Sequence, residues 1–191
     1  MNKFFTFTVI NEIKTKLRPK ATIVGGHARV YTPKTTTSYE NLIKTVYQNS
    51  GGPFFGSLPL KVKIKAYFTP SQEIERYIKQ NLLPHCINQK DLDNIAKIIL
   101  DSLNGIAFKD DKQVCQLEIS KAYSDTGQDY VSVEICSLEE GSLDYIKEQA
   151  YYQKLWNRRS ELEAKTKLTS TEKKRLEEIK KELDAKGWLP F

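Results

Sequence analysis

Alternation of apolar and polar residues predicts strands in the first two thirds of the chain. From Phe4 to Ile10 every second residue is apolar, and threonines fall between, which is typical of a half-buried strand. Lys61 to Phe68 alternates more strictly, with lysines on one side and apolar residues on the other. Shorter extended pieces are expected at 21–24 and 28–32, on either side of a turn at Gly25-Gly26.

Two further alternating segments follow later in the chain, separated by a turn at 125–128 that contains Gly127. The residues expected to face the interior are Cys115, Leu117 and Ile119 in the first segment and Val131, Val133 and Ile135 in the second. Both segments are therefore predicted to be strands with one buried face.

Helical spacing appears between these strands. Thr37 and Glu40 have the spacing of a capping box, and the apolar residues from Tyr39 to Tyr47 then fall on one helical face. A shorter helix is expected within 72–83, ended by Pro84. From Asp93 to Leu103 an apolar stripe predicts a helix that packs on a core, and Asn104-Gly105 supplies its end.

The composition changes after Ser137, where helix-forming residues become dominant. Gly141-Ser142 indicates a joint, and two amphipathic helices are expected beyond it, the second with a capping box at Thr169 and Glu172. We predict two domains, residues 1–138 and a C-terminal αα-hairpin at 139–191. The predicted fold class is α+β: a two-layer mixed sheet with helices on one face, plus the helical hairpin.

Charge narrows the functional classes. The net charge is +6, and the first fifty residues carry eight basic against two acidic side chains, so that segment holds the whole excess. Such a basic segment favours a polyanionic partner, above all nucleic acid. The candidate DNA contacts are Lys14, Lys16, Arg18, Lys20, Arg29 and Lys34. An alternative DNA track is the lysine face of the strand at 61–68.

Other features point to a cytoplasmic protein. Three cysteines show no metal-ligand spacing, so we expect reduced thiols. No apolar run is long enough for a membrane span, and the N-terminus is interpreted as a strand and not as a signal peptide.

An acidic cluster supplies candidate chemistry. Asp91 and Asp93 lie two residues apart where a helix begins, Lys97 follows one turn after Asp93, and Asp110-Asp111 come just past the helix. Crowded carboxylates repel one another unless a hard cation binds them, so we expect a Mg²⁺ or Mn²⁺ site for phosphate chemistry. Helix capping is the commoner use of a bare Asp-x-Asp pair and stays the alternative.

A longer pattern is more specific than the pair. The runs Asp91-Leu92-Asp93-Asn94, Leu103-Asn104-Gly105 and Asp110-Asp111-x-Gln113-Val114, with Lys97 and Asp101 between them, resemble the RusA family of Holliday-junction resolvases. Further upstream, Lys16-Leu17-Arg18-Pro19-Lys20, Tyr31-Thr32-Pro33-Lys34-Thr35 and Tyr39-Glu40 resemble the basic region and first helix of that family. The resemblance covers roughly Phe5 to Ile135 and leaves out the hairpin.

The resemblance implies a homodimer that nicks branched DNA with Mg²⁺, acting on four-way junctions in recombination and repair. Carried over by position, the metal-binding and catalytic carboxylates are Asp91, Asp93 and Asp111, and Lys97 is the essential lysine. A module that binds branched or single-stranded DNA without cutting it remains the alternative function, with Tyr31 and His27 as candidate stacking groups. We further expect the hairpin to strengthen the dimer and not to be required for the chemistry.

Overall fold

The computed structural model describes residues 3–18, 20–24 and 27–190. The chain divides into two compact units, residues 1–138 and 139–191. The turn expected at Gly25-Gly26 lies outside the described residues. No helix among those described is both long and apolar enough to cross a lipid bilayer.

A four-stranded mixed sheet forms the centre of the first unit. Its strands are β1 (Phe4–Ile10), β4 (Leu60–Phe68), β5 (Val114–Tyr123) and β6 (Tyr130–Ser137), in the order β1-β6-β4-β5. β6 pairs antiparallel with both β1 and β4, whereas β4 and β5 are parallel. A separate antiparallel hairpin consists of β2 (Lys20–Val24) and β3 (His27–Tyr31).

Helices cover one face of the sheet. α1 (Lys34–Asn49) and α3 (Leu92–Leu103) contact each other, α1 also contacts β1, and α3 contacts β5. α3 is the crossover between the parallel strands β4 and β5, so it runs back along them toward their N-terminal ends. The core between sheet and helices includes the fully buried Ile43, Ile64, Ile95, Ile99 and Val133. The α+β class with helices over a mixed sheet is therefore confirmed.

The start of α1 differs from the prediction. The helix begins at Lys34 after Pro33, with no side-chain cap, and the Pro33 carbonyl accepts the N–H groups of Thr36 and Thr37. The capping box expected from Thr37 and Glu40 is therefore wrong. The physical reason is that Glu40 has another partner, since its carboxylate is ion-paired with Lys16.

β5 also departs from expectation. The turn before β6 does not join neighbouring strands, because β4 lies between β5 and β6. β5 is instead an edge strand, and most of its residues are exposed. They include Cys115 and Leu117, the latter with 46% of its surface exposed. The interior face expected for this strand is thus incompletely covered in a single chain.

α2 (Gln72–Lys79) is shorter than the 72–83 range allowed by the sequence and buries no residue. The second unit contains α4 (Leu143–Glu163) and α5 (Ser170–Lys186), which confirms the hairpin. The expected capping box at Thr169 and Glu172 is present, and Gly187 ends α5 in the left-handed conformation. The second unit has a core of its own, which consists of Leu155, Leu162, Leu176, Ile179, Leu183 and Trp188.

Candidate active site

The N-terminus of α3 presents three of the predicted site residues to solvent. Asp91 is the N-cap in extended conformation, but its side chain makes no capping hydrogen bond, and the cap contact is its backbone carbonyl, which accepts from Ile95. Asp93 lies in the first turn, and Lys97 follows one turn later; all three side chains are exposed. Carboxylates here are favoured by the helix dipole and remain available to bind a ligand.

Lys121 of β5 fixes the segment that enters α3. Its ammonium donates to the backbone carbonyls of Gln89 and Lys90, both at 3.3 Å. The acidic end of α3 therefore lies beside the last third of β5. Sequence reasoning missed Lys121; its signal was a lysine at a position where the alternation of β5 calls for an apolar residue.

Asp110 and Asp111 have different local roles. Asp110 caps a short 3₁₀ helix, Asp111–Gln113, in a capping box with Gln113. The backbone N–H of Lys112 donates to the Asp110 carboxylate at 3.0 Å and, with the nearby Lys112 charge, holds the pKa of that carboxyl below its usual value. Asp111 makes no part of this cap and is half-exposed.

Asp111 does not lie beside Asp91 and Asp93 within one chain. The 3₁₀ helix precedes Val114 at the start of β5, whereas the acidic end of α3 lies beside Lys121. Seven residues of strand separate these two points, which is about 23 Å. Ligand oxygens of a divalent cation lie within about 2.6 Å of it. Accordingly, the described residues contain no group of three or more His, Cys, Asp or Glu side chains placed to hold a metal ion.

The donor chemistry nevertheless fits a hard divalent cation. Asp91 and Asp93 offer exposed carboxylate oxygens without competing ion pairs among the contacts described for them, and oxygen ligands are what Mg²⁺ and Mn²⁺ prefer. The expected three-carboxylate set is therefore divided, with two members at one end of α3 and the third at the other end.

Lys16 has protein partners. Its ammonium bridges Glu40 of α1 at 2.5 Å and Asp101 of α3 at 2.9 Å, with 23% of the side chain exposed. Partial burial alone would lower the pKa of Lys16, but the hydrogen bonds and charges of the two carboxylates outweigh it and raise the pKa. The Lys16 backbone N–H also donates to the Asn94 carbonyl at 3.2 Å. Lys16 thus attaches the basic segment to both helices.

The other predicted DNA contacts are distributed unequally. Lys14 and Lys34 line one cavity of about 310 Å³ beside α1, with Ser38 and Tyr39. Lys14 also forms an ion pair with Glu12 at 2.5 Å. Arg18 is exposed. Lys20 lies in β2 and Arg29 in β3, but their side chains fall outside what the structure describes.

The alternative lysine track lies on the sheet face opposite α1 and α3. Lys63 pairs there with Glu118 at 2.8 Å, and that hydrogen bond raises the pKa of Lys63. Glu134 on the neighbouring strand β6 adds a further carboxylate opposite Lys63. Mixed charge makes this face a weaker candidate for binding a polyanion.

Comparison with known proteins supports the family resemblance that the acidic residues indicated. The family model of Endodeoxyribonuclease RusA matches residues 11–135, a range that includes the six predicted DNA contacts, α3 and the Asp110-Asp111 pair. The chain is also similar to the Uncharacterized protein YqaN of Bacillus subtilis (strain 168), with 27% identity over 126 residues that span 62% of this chain and 87% of that protein. The family match ends before the helical hairpin. With most of its length matched, the chain belongs to the RusA family of endodeoxyribonucleases.

Proposed function

We propose that the protein is a divalent-metal-dependent endonuclease that cuts four-way DNA junctions by paired nicking, in recombination and repair. The observation that carries the proposal is the exposed set Asp91, Asp93 and Lys97 on consecutive turns of α3, inside the region that matches the family. Asp91 and Asp93, with Asp111, would hold a Mg²⁺ or Mn²⁺ ion, which when bound would supply an activated water and neutralise phosphate charge. Lys97 donates a hydrogen bond to a phosphate oxygen and stabilises charge that develops on it.

The active unit is proposed to be a homodimer. Asp111 comes just before Val114 and the Asp91 end of α3 lies beside Lys121, two strand positions about 23 Å apart, so we infer that one chain does not give all three carboxylates to one cation. A second copy in the opposite orientation would supply Asp111 to the α3 end of the first, and the reverse. Two equivalent sites suit a four-way junction, in which two opposed strands are cut.

The DNA-binding surface is proposed to include the cavity beside α1. Lys14 and Lys34 line it together, and Arg18 is exposed on the same basic segment. Lysine and arginine contacts to phosphates release counterions, so binding should weaken steeply with salt, with a slope of about −0.9 per contact on duplex arms.

A labelled four-way junction, incubated with Mg²⁺ or with chelator, tests the nuclease proposal. We expect symmetric nicks that need the metal, and an Asp93→Asn variant that binds the junction undiminished without cutting it, because removing a negative charge near phosphates does not weaken affinity. Binding without any metal-dependent cutting by the unmodified chain would favour the non-catalytic module. Cutting by Asp93→Asn at the normal rate would show that the metal is bound elsewhere.

Mixing two inactive variants tests the shared site. In a heterodimer of Asp93→Asn and Asp111→Asn chains, a site built from both subunits leaves one of the two sites with its complete set of carboxylates. We therefore expect the mixture to recover nicking of one strand, while each variant alone stays inactive. A site built within one chain predicts no recovery, since every chain in the mixture then carries a damaged site.

A further inference from the structure

We propose that the cavity between the segment 78–86 and the end of β5 binds one unpaired nucleobase of branched DNA, and that Leu83 at its rim fills the gap which this base leaves in the stack. The proposal rests on the proposed junction nuclease and assigns the site that recognises the branch. The cavity has a volume of about 450 Å³. Ligand sites in proteins usually have volumes of about 300 to 1,000 Å³, so the cavity is large enough for a base.

The lining of the cavity suits a flat ring that has apolar faces and polar edges. Apolar side chains such as Ile78 and Pro84 contribute most of the wall, and Tyr123 adds an aromatic ring on which a base can stack. His85 and Asp125 bring hydrogen-bonding groups to the same cavity. Proteins that bind an unstacked base combine these two elements, since apolar and aromatic side chains hold the ring and polar groups read its edge.

The cavity adjoins the acidic end of α3. Lys121 lines the cavity, and its ammonium donates to the carbonyls of Gln89 and Lys90, both at 3.3 Å, directly before Asp91. A nucleotide carries its phosphate next to its base, so a base bound in the cavity brings the backbone of its own strand close to Asp91 and Asp93. Recognition of the branch and cutting of the strand then take place on neighbouring nucleotides.

The rim of the cavity is an apolar tip that projects into solvent. α2 ends at Lys79, and Asn81 adopts the left-handed conformation with φ of 60°, which asparagine tolerates better than most residues. Leu82 and Leu83 follow this turn and are 54% and 82% exposed. Side chains so exposed contribute little to the core of their own chain. Leucine is among the apolar residues that proteins insert between DNA bases to unstack them.

The cost of extruding a base explains why such a cavity selects branched DNA. A base that leaves a duplex loses its pairing and stacking, and this cost is lowest for a base that is already mismatched or unpaired. At a branch point the stack is interrupted, so a base leaves its helix at a lower cost than inside an arm. Phosphate contacts alone do not distinguish the two substrates, because a plain duplex offers the same phosphates to the basic residues.

A four-way junction that carries 2-aminopurine at the branch point tests the site in the presence of chelator, where no strand is cut. This base fluoresces weakly within a stack and strongly once unstacked. We expect binding of the full chain to raise the emission by about threefold or more, whereas the same base in the middle of an arm should show no rise. A bound junction without any rise at the branch point would overturn the inference.

Filling the cavity shows whether unstacking depends on it. Ile78→Trp places a large ring in the cavity wall, on a helix that buries no residue, so we expect the fold to be retained. The emission rise should disappear and junction binding should weaken about tenfold, with duplex binding unchanged. Tyr77→Trp is the matched control, because Tyr77 lies on the same helix, is 42% exposed and does not line the cavity. Equal effects of the two substitutions would overturn the inference.

Leu83→Ala tests the rim, and its exposure means that the truncation leaves the core intact. We expect the emission rise and the junction affinity to fall about fivefold, because nothing then fills the gap in the stack. Sedimentation equilibrium of Ile78→Trp and Leu83→Ala should match that of the natural chain. A loss of affinity that accompanies a smaller assembly would assign the tip to a contact between subunits and would overturn the inference.

The use of chelator separates this inference from the proposed nuclease. A chain that unstacks the branch-point base but never cuts with metal would overturn the nuclease proposal alone. A chain that cuts junctions with metal, and whose emission rise is the same with Ile78→Trp, would overturn the base-binding cavity alone.

Discussion

At the scale of single residues, Asp110 and Asp111 are adjacent in the sequence but differ in their tasks. Asp110 is committed to the 3₁₀ helix, where it accepts the Lys112 N–H and forms a capping box with Gln113. Asp111 has no part in that cap. The family resemblance implies Asp111 as the metal ligand, and the local hydrogen bonds show that Asp110, not Asp111, forms the capping box.

Asparagine substitutions should separate the two roles. Asp110→Asn keeps an oxygen that can cap, since asparagine is as good a cap as aspartate, and we expect junction cutting within about threefold of normal. Asp111→Asn removes a charge from the metal site and should lower the cutting rate by about a thousandfold, as losses of essential electrostatic groups do. Single-turnover rates at saturating protein measure both. The reverse result would transfer the metal-binding role to Asp110.

Partners distant in sequence limit what residue types alone predict. Lys16 is a lysine in a basic segment, which in the sequence makes it a candidate DNA contact. Only the packing of that segment against α1 and α3 reveals Glu40 and Asp101 as its partners. Lys121 is likewise a surface lysine in sequence and a fixing contact for Gln89 and Lys90 in the structure. For Lys121 the sequence shows only a break in the alternation of β5, and for Lys16 it shows no spacing signal at all; in neither case does it identify the partners.

At the scale of elements, the sequence predicts well which residues of a helix or strand are buried. The stripe of α3 and the alternation of β1, β4 and β6 match their buried residues because each packs against its own chain. β5 has the same alternation but lies at an edge, and alternation alone does not say whether the covering layer comes from the same chain.

Lys16 joins three elements, so its loss should be felt in stability more than in DNA binding. Lys16→Met leaves Glu40 and Asp101 without their shared cation, and we expect about 1 kcal/mol lower free energy of unfolding in urea. A raised pKa means that this contribution is complete below the lysine's usual pKa of 10.5, including neutral pH, and is lost only in alkali.

Lys14→Met is the control for that change, because Lys14 pairs with Glu12 two residues away, within the same segment. It should leave the free energy of unfolding nearly unchanged and flatten the salt dependence of junction binding, while Lys16→Met should leave the salt dependence as it is. A flatter salt slope for Lys16→Met, with unaltered stability, would restore Lys16 as a DNA contact.

At the scale of the whole molecule, the family match and the compact units divide the chain at nearly the same place. The match ends at 135, and the first unit ends at Leu138. Leu138 still belongs structurally to the sheet unit, since its N–H donates to the Pro59 carbonyl at 2.8 Å. The α4–α5 hairpin has its own apolar core, yet Leu143 and Ile146 at the start of α4 remain more than half exposed, at 66% and 52%.

Removal of residues 139–191 tests what the hairpin contributes. The remaining unit keeps the sheet, α1, α3 and every predicted site residue, so we expect it to fold and to cut junctions with metal at high protein concentration. Interleaved charges along α4 and α5, with several ion pairs such as Lys180 to Glu163 at 3.1 Å, favour protein contact over DNA contact. We therefore expect deletion to raise the dimer dissociation constant, as measured by sedimentation equilibrium. A deleted chain that remains dimeric at the same dilution as the full chain would refute the dimer role. A deleted chain that is folded and dimeric but inactive would show that the hairpin serves DNA binding instead.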